Sequence, residues 1–216
     1  MTIEKGLEIL VMGGRPLEHD ALLERLKAEG ANVFETADYA ATLQFSQNRK
    51  LDLIVLIEPF PRVAPLREII RTLRAKNTTT KLLVFSNNDL PERVRAILIA
   101  GADGYVYKGE DVETILRAID VVAKGDVWIS RNLINALTSA PLPHPTENQQ
   151  SIDLTERERQ VLNLIADGLS NAEIGTSLHL AQQTVRNYSS RIYEKIGVHT
   201  HAEAIVWAIE NGLSRH

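Results

Sequence analysis

The sequence predicts an α/β unit built on a five-stranded, parallel, doubly wound sheet, followed by a separate all-α unit. Three observations carry that prediction. Short apolar runs alternate with helical patterns over the first 126 residues, the pattern that sandwiches parallel strands between helical layers. The stretch "SAPLPHPTENQQS" is then rich in Pro, Ser and Gln and poor in apolar side chains, as an extended or flexible linker is. From Asp153 to Gly212 the pattern is wholly helical, with three T/S-x-x-E signatures of helix starts. The chain therefore divides into 1–126, a connecting helix and linker over 127–150, and a helical unit over 151–216.

In the first unit, Glu8-Ile9-Leu10-Val11-Met12 reads as a buried strand ending at Gly13-Gly14. A helix follows from Pro16 to Glu29, with Leu17, Leu22, Leu23 and Leu26 on its apolar side and Gly30 as its stop. Asn32 to Glu35 is a brief strand and Ala40 to Arg49 a helix. Leu53-Ile54-Val55-Leu56-Ile57 is the plainest buried strand. Leu66 to Leu73 is a helix and Lys81 to Phe85 a strand. Asp89 caps a helix from Pro91 to about Ala100, Gly104 to Tyr107 is the fifth strand, and Asp111 to Ala123 a helix. Arg131 to Leu137 forms a short connecting helix.

Composition narrows the function. The chain has 216 residues, 44% of them hydrophobic, and a net charge of −4. With no cysteine, disulfides, thiolate zinc sites and cysteine nucleophiles are excluded. The six His show no metal-ligand spacing, and no nucleophile–base pair is apparent, so neither an enzyme, a metal site nor a cofactor is expected. No signal peptide or long apolar run is present, so a soluble cytoplasmic protein without membrane contact is expected.

In the second unit, Thr155/Glu158, Ser170/Glu173 and Thr200/Glu203 open three helices. A helix from Gln182 to Ile196, stopping at Gly197, turns Val185, Ile192 and Ile196 to the core. Its outer side carries Gln183, Arg186, Asn187, Ser190, Arg191, Glu194 and Lys195. Such a face suits base edges and phosphates, although many solvated helix faces look similar. A short helix, a turn and a second helix with this face form a helix-turn-helix layout. From Ser151 on there are six Lys/Arg against eight Asp/Glu, which weighs against avid nonspecific binding.

The residues Leu154-Thr155-x-Arg157-Glu158, Gly168-Leu169-Ser170-Asn171-x-Glu173-Ile174, Thr184-Val185-Arg186, Lys195-Ile196-Gly197-Val198 and Glu203-Ala204 closely resemble the LuxR/NarL-type DNA-binding domain. The resemblance implies base contacts from Arg186, Asn187 and Ser190, and phosphate contacts from Thr184, Arg191 and Lys195. It also implies a homodimer on double-stranded DNA, with the Ile205 and Ile209 side of the last helix contributing to pairing. Two positions depart from the family. Ala181 stands where Ser or Thr usually caps the recognition helix, at a cost of about 1 kcal/mol. Asn187 stands where the family often has a small apolar residue or Asn, and Tyr188 where it often has His, so no base preference carries over from a relative.

"VFSNNDLPERVRAILIAGADGYVYKGEDVETILRAI" resembles the second half of a response-regulator receiver domain, a flavodoxin-like fold. By that resemblance Ser86 is the switch hydroxyl, Tyr105 the switch aromatic and Lys108 the phosphate-binding lysine. The chain as a whole then resembles a NarL/FixJ-type response regulator of a two-component system. The first half departs from it. Ile57 falls on the phosphoacceptor position, and Gly13-Gly14 on the acidic pair that binds Mg²⁺. Glycine offers no carboxylate oxygen and isoleucine cannot form an acyl phosphate. Strand alternation turns Glu58 away from the pocket, whereas a slipped register would make it a built-in mimic of the phosphate charge.

These residues predict a sequence-specific transcription regulator with an atypical, phosphorylation-independent receiver. The alternatives are a sensor whose altered pocket binds a small ligand, and an adaptor whose receiver docks a protein partner.

Overall fold

The computed structural model describes residues 3–13, 17–59, 65–76, 79–139 and 153–213. Gly14 and the linker over 140–150 lie outside them. The first unit is a parallel sheet in the order β2-β1-β3-β4-β5-β6. Its strands are β1 (Glu8–Gly13), β2 (Asn32–Thr36), β3 (Leu53–Ile57), β4 (Lys81–Ser86), β5 (Gly104–Tyr107) and β6 (Trp128–Ile129). Between them run α1 (Leu17–Ala28), α2 (Tyr39–Asn48), α3 (Leu66–Lys76), α4 (Pro91–Ile99) and α5 (Val112–Ala123).

The sixth strand corrects the expected five. Trp128 and Ile129 pair in parallel with Gly104 and Tyr105, so the sheet continues past residue 126. Two residues are too few for a hydrophobic period to register in the sequence. A second correction concerns α4. Its N-cap is Leu90, which makes no side-chain cap, and Pro91 occupies the first turn. Asp89 does not cap it; the Asn88 side chain instead accepts from the Leu90 N–H at 3.1 Å.

Alternation sorts the central strands into two faces. Leu53, Val55 and Ile57 join Leu83, Phe85 and Val106 in a cluster with Leu116, Ile119 and Val122 of α5. Ile54 and Leu56 join Leu82, Val84 and Tyr105 in a second cluster with Ile69 and Leu73 of α3 and Val94 and Leu98 of α4. This parity decides which side chains meet at the strand ends.

The second unit holds α7 (Glu156–Ala166), α8 (Asn171–Leu178), α9 (Gln182–Ile196) and α10 (His201–Glu210), after the connecting α6 (Arg131–Ser139). Reciprocal capping boxes open α7 and α8 as the sequence implies. At α10 Thr200 accepts from the Glu203 N–H, but the Glu203 carboxylate reaches the His199 N–H instead of completing a box. Gly168 and Gly197 take φ of +77° and +74°, the left-handed region where a side chain would be strained. Val185, Ile192 and Ile196 are buried, and α9 keeps the predicted bounds. Ala181 at its N-cap makes no side-chain bond. Its extended backbone suits a hydroxyl cap, so Ala181→Ser raises the unfolding free energy by about 1 kcal/mol in urea titrations.

The two units pack on each other. The cluster lining the α3/α4 side of the sheet continues through Leu133 and Leu137 of α6 into Val161, Ile165, Ile205 and Ile209. α4 lies against α10, where Arg95 pairs with Glu210 at 3.4 Å. Ile205 and Ile209 are thus buried within the chain, at 0% and 4% exposure, and do not form the free pairing surface expected of them.

Candidate nucleic-acid interface and strand-end pocket

The outward face of α9 follows from its period. With Val185, Ser189, Ile192 and Ile196 buried, Gln183, Asn187, Ser190, Arg191, Glu194 and Lys195 come to the surface. Gln183 donates to Asn187 at 3.2 Å, and Ser190 donates to the Arg186 carbonyl at 3.1 Å. Thr184 and Arg186 are half-buried. Lys195 is already engaged: its ammonium donates to Glu158 at 2.7 Å and to the Asp153 carbonyl at 2.9 Å. That ammonium, with the Thr155 N–H, holds the Glu158 carboxyl down at about 2. In this arrangement Lys195 ties α9 to the start of α7, and its charge is neutralised. The sequence could have flagged it, because Glu158 is both a capping carboxylate and the natural partner of a nearby cation.

The first turns of α9 face the sheet unit. Asp126, buried at the α5–β6 turn, accepts from the Asn171 side chain at 2.7 Å and backbone at 3.3 Å, and from Gln182 at 3.3 Å. Arg186 donates to the Lys124 carbonyl at 3.4 Å. A cavity of about 320 Å³ separates Lys124, Gly125 and Asp126 from Arg186, Ser190 and Tyr193. His201 lines it too; burial lowers its pKa to about 4. Sequence inspection missed Asp126, Asn171 and His201, because their contacts span the linker and no local pattern encodes them.

The second site lies where β1, β3, β4 and β5 end. Gly13 pairs with Ile57, and Ile57 with Phe85, so the strand register matches the sequence count. Ile57 is 4% exposed and belongs to the α5-side cluster. The expectation for Glu58 is overturned: its carboxylate accepts the Ser86 hydroxyl at 2.5 Å and is paired with Arg93 of α4. The parity argument was sound but assigned the wrong face, since Ser86 sits on the α4 side, opposite Ile57. The Lys108 ammonium donates to the Glu58 carbonyl. Asn88 donates its N–H to the Ser86 hydroxyl oxygen at 3.1 Å, and its carbonyl accepts from Tyr105 at 2.5 Å. Tyr105 is fully buried, and desolvation raises its phenol pKa.

A divalent cation does not fit these residues. Gly13 and Ile57 supply no oxygen side chain, and the carboxylate present already binds a hydroxyl and a guanidinium. Among the described residues no group of three or more His, Asp or Glu could hold a metal ion.

Residues 9–120 match the response regulator receiver domain, and residues 153–208 match the bacterial regulatory proteins of the luxR family. The nitrate/nitrite response regulator protein NarL of Escherichia coli K12 is 30% identical over 176 residues, covering 81% of each chain. The chain belongs to the LuxR-family DNA-binding response regulators. This response regulator is also 28% identical over 201 residues to NarP of the same organism, covering 92% of this chain and 93% of NarP. A structure of RcsB from Salmonella typhimurium shares the fold, with a TM-score of 0.57 at 18% identity over 94% of this chain and 98% of that one. No helix among its described residues is long and apolar enough to cross a membrane.

Proposed function

We propose that this response regulator binds a specific duplex through α9 and does so without aspartyl phosphorylation, as a soluble cytoplasmic protein. The observation that carries the second half is the strand-end pocket. Ile57 stands at the end of β3, Gly13 at the end of β1, and the Ser86 hydroxyl is spent on an internal carboxylate. Among the described residues no side chain there can accept a phosphoryl group and hold its Mg²⁺ in the manner of the family.

For the DNA reading, Asn187, Ser190 and Arg191 form an open polar face, with Arg186 at its edge and Thr184 beneath it. Arg186 and Asn187 suit bidentate contacts to guanine and adenine edges; Arg191 and Thr184 suit phosphates. Lys195 contributes to DNA only after leaving Glu158. A major groove about 12 Å wide admits the helix, yet the duplex cannot reach Arg186 while Lys124 and Asp126 stand opposite. Binding therefore requires α9 to part from the α5–β6 turn. One helix reads few base pairs, so two copies on a roughly palindromic site are proposed, as helix-turn-helix dimers bind.

The ligand-sensor reading has less support at the strand ends, because Glu58, Ser86 and Arg93 already bond to one another. Selection from a random duplex pool, followed by titration with and without acetyl phosphate and Mg²⁺, tests the proposal. Equal affinities are expected. A gain of about tenfold with the phosphodonor overturns phosphorylation independence, and failure to enrich any duplex overturns DNA recognition.

A further inference from the structure

We infer that Glu58 is an internal anion that holds the two units closed, through Arg93 and α4. The inference starts from how little else fixes the first turn of α4. Its N-cap, Leu90, offers no side-chain bond, and Pro91 brings no N–H. What holds this turn is a chain of contacts that ends on one carboxylate. Leu90 donates to the Asn88 side chain, and the Asn88 N–H donates to the Ser86 oxygen. The Ser86 hydroxyl in turn donates to Glu58. Arg93, one turn into the helix, pairs with the other Glu58 oxygen. The Glu58 side chain is 16% exposed, so its charge is poorly solvated and depends on these donors.

The far side of α4 bears on the DNA-binding unit. Val94, Ile97 and Leu98 lie in the cluster shared with α7 and α10, and Arg95 pairs with Glu210. Arg93 and Arg95 thus tie one helix to β3 on one side and to α10 on the other. Removing the Glu58 charge frees Arg93 and the Ser86–Leu90 segment. The seat of α10 then loosens, and with it the contacts of Asp126 to Asn171 and Gln182. The carboxylate acts by differential stabilisation of the closed state, which is all such a group can do to a two-state equilibrium. The role rests on the reading of α9 as the DNA-binding helix only for its biological consequence.

The chain has no native cysteine, so two introduced ones carry spin labels without background. Gln47→Cys on α2 and Ser177→Cys on α8 are exposed positions, one on each unit. Pulsed electron–electron distance measurements on the labelled full-length chain, without DNA, are expected to give one narrow distribution. Glu58→Gln and Arg93→Gln, each in that background, are expected to add a longer distance. The closed-to-open ratio should fall about tenfold, the usual scale for a lost charge-assisted bond. Glu68→Gln, an exposed acid on α3, should leave the distribution unchanged. A wild-type distribution in both variants overturns the inference. So does a change in Arg93→Gln alone, because the carboxylate would then not be the partner that matters. Should Glu58→Gln fail to fold by circular dichroism, Glu58→Asp, whose shorter side chain withdraws the carboxylate from Ser86 and Arg93, takes its place with the same expected outcome. Because no DNA is present, the outcome stands whether or not α9 reads a duplex.

Discussion

Affinity for the selected duplex falls by about 1–3 kcal/mol, roughly 5- to 150-fold, when Arg186 is replaced by Ala. Arg186 is the cation on α9 whose guanidinium stands at the edge of the open face and makes a long 3.4 Å bond to the Lys124 carbonyl. Losing that bond favours separation of the units slightly, which opposes the loss of a base contact. Two duplexes resolve the two effects. Against the selected site the variant should weaken by the full amount; against unrelated sequence it should change little, because phosphate contacts dominate there. Arg191→Ala should behave differently, weakening both duplexes alike and flattening the salt dependence by about one counterion. An Arg186→Ala protein that kept its affinity for the selected site would remove α9 from the groove.

Acid should destabilise the chain through His201 as pH falls from 6.5 towards about 4. His201 opens α10 at 8% exposure, edge-on to Tyr193 with ring centroids 6.4 Å apart. Burial pulls its pKa from 6.5 down to about 4, while the Asp126 charge and the Leu169 carbonyl pull it up. Lys81, across the crevice, adds a small further depression. The folded chain therefore keeps the imidazole neutral where the unfolded chain would bind a proton. Stability linked to His201 is fully present above pH 6.5 and is lost as pH falls towards about 4, on the order of 3 kcal/mol in all. Urea titrations followed by Trp fluorescence at pH 7.5 and 4.5 read this directly, since Trp207 lies on α10. His201→Gln should flatten the dependence between those values. Equal slopes in wild type and variant would place the acid sensitivity elsewhere. Glu158 works in the same direction but in a lower window, from 4.5 down to about 2, so the two contributions separate.

The α9 face was legible because its signals are local. Ala181, Gln182 and Gly197 mark its ends, and Val185, Ile192 and Ile196 set its inner side. The sheet was legible for the same reason, down to the alignment of Gly13 with Ile57. Among the features that were not, three differ in cause. The two-residue β6 is too short to carry a period. Lys195 looked like a free cation until Glu158 was found 2.7 Å away. Glu58 was assigned to the wrong face, because parity within one strand does not say which face holds Ser86 and Arg93.

By itself, the sequence determined the identity of every element but β6, the isoleucine at the end of β3, and the polar outward face of α9. Those depend on side-chain chemistry and on periods of two or 3.6 residues, which a linear string contains. The tertiary structure alone decided that Glu58 meets Ser86 and Arg93, that Asp126 meets Asn171 and Gln182, and that Ile205 and Ile209 are spent within the chain. Those contacts join residues far apart in sequence. Their partners are set by tertiary packing, which brings β3, β4 and α4 together around Glu58 and the α5–β6 turn against α8 and α9 at Asp126, where burial strengthens each charged contact.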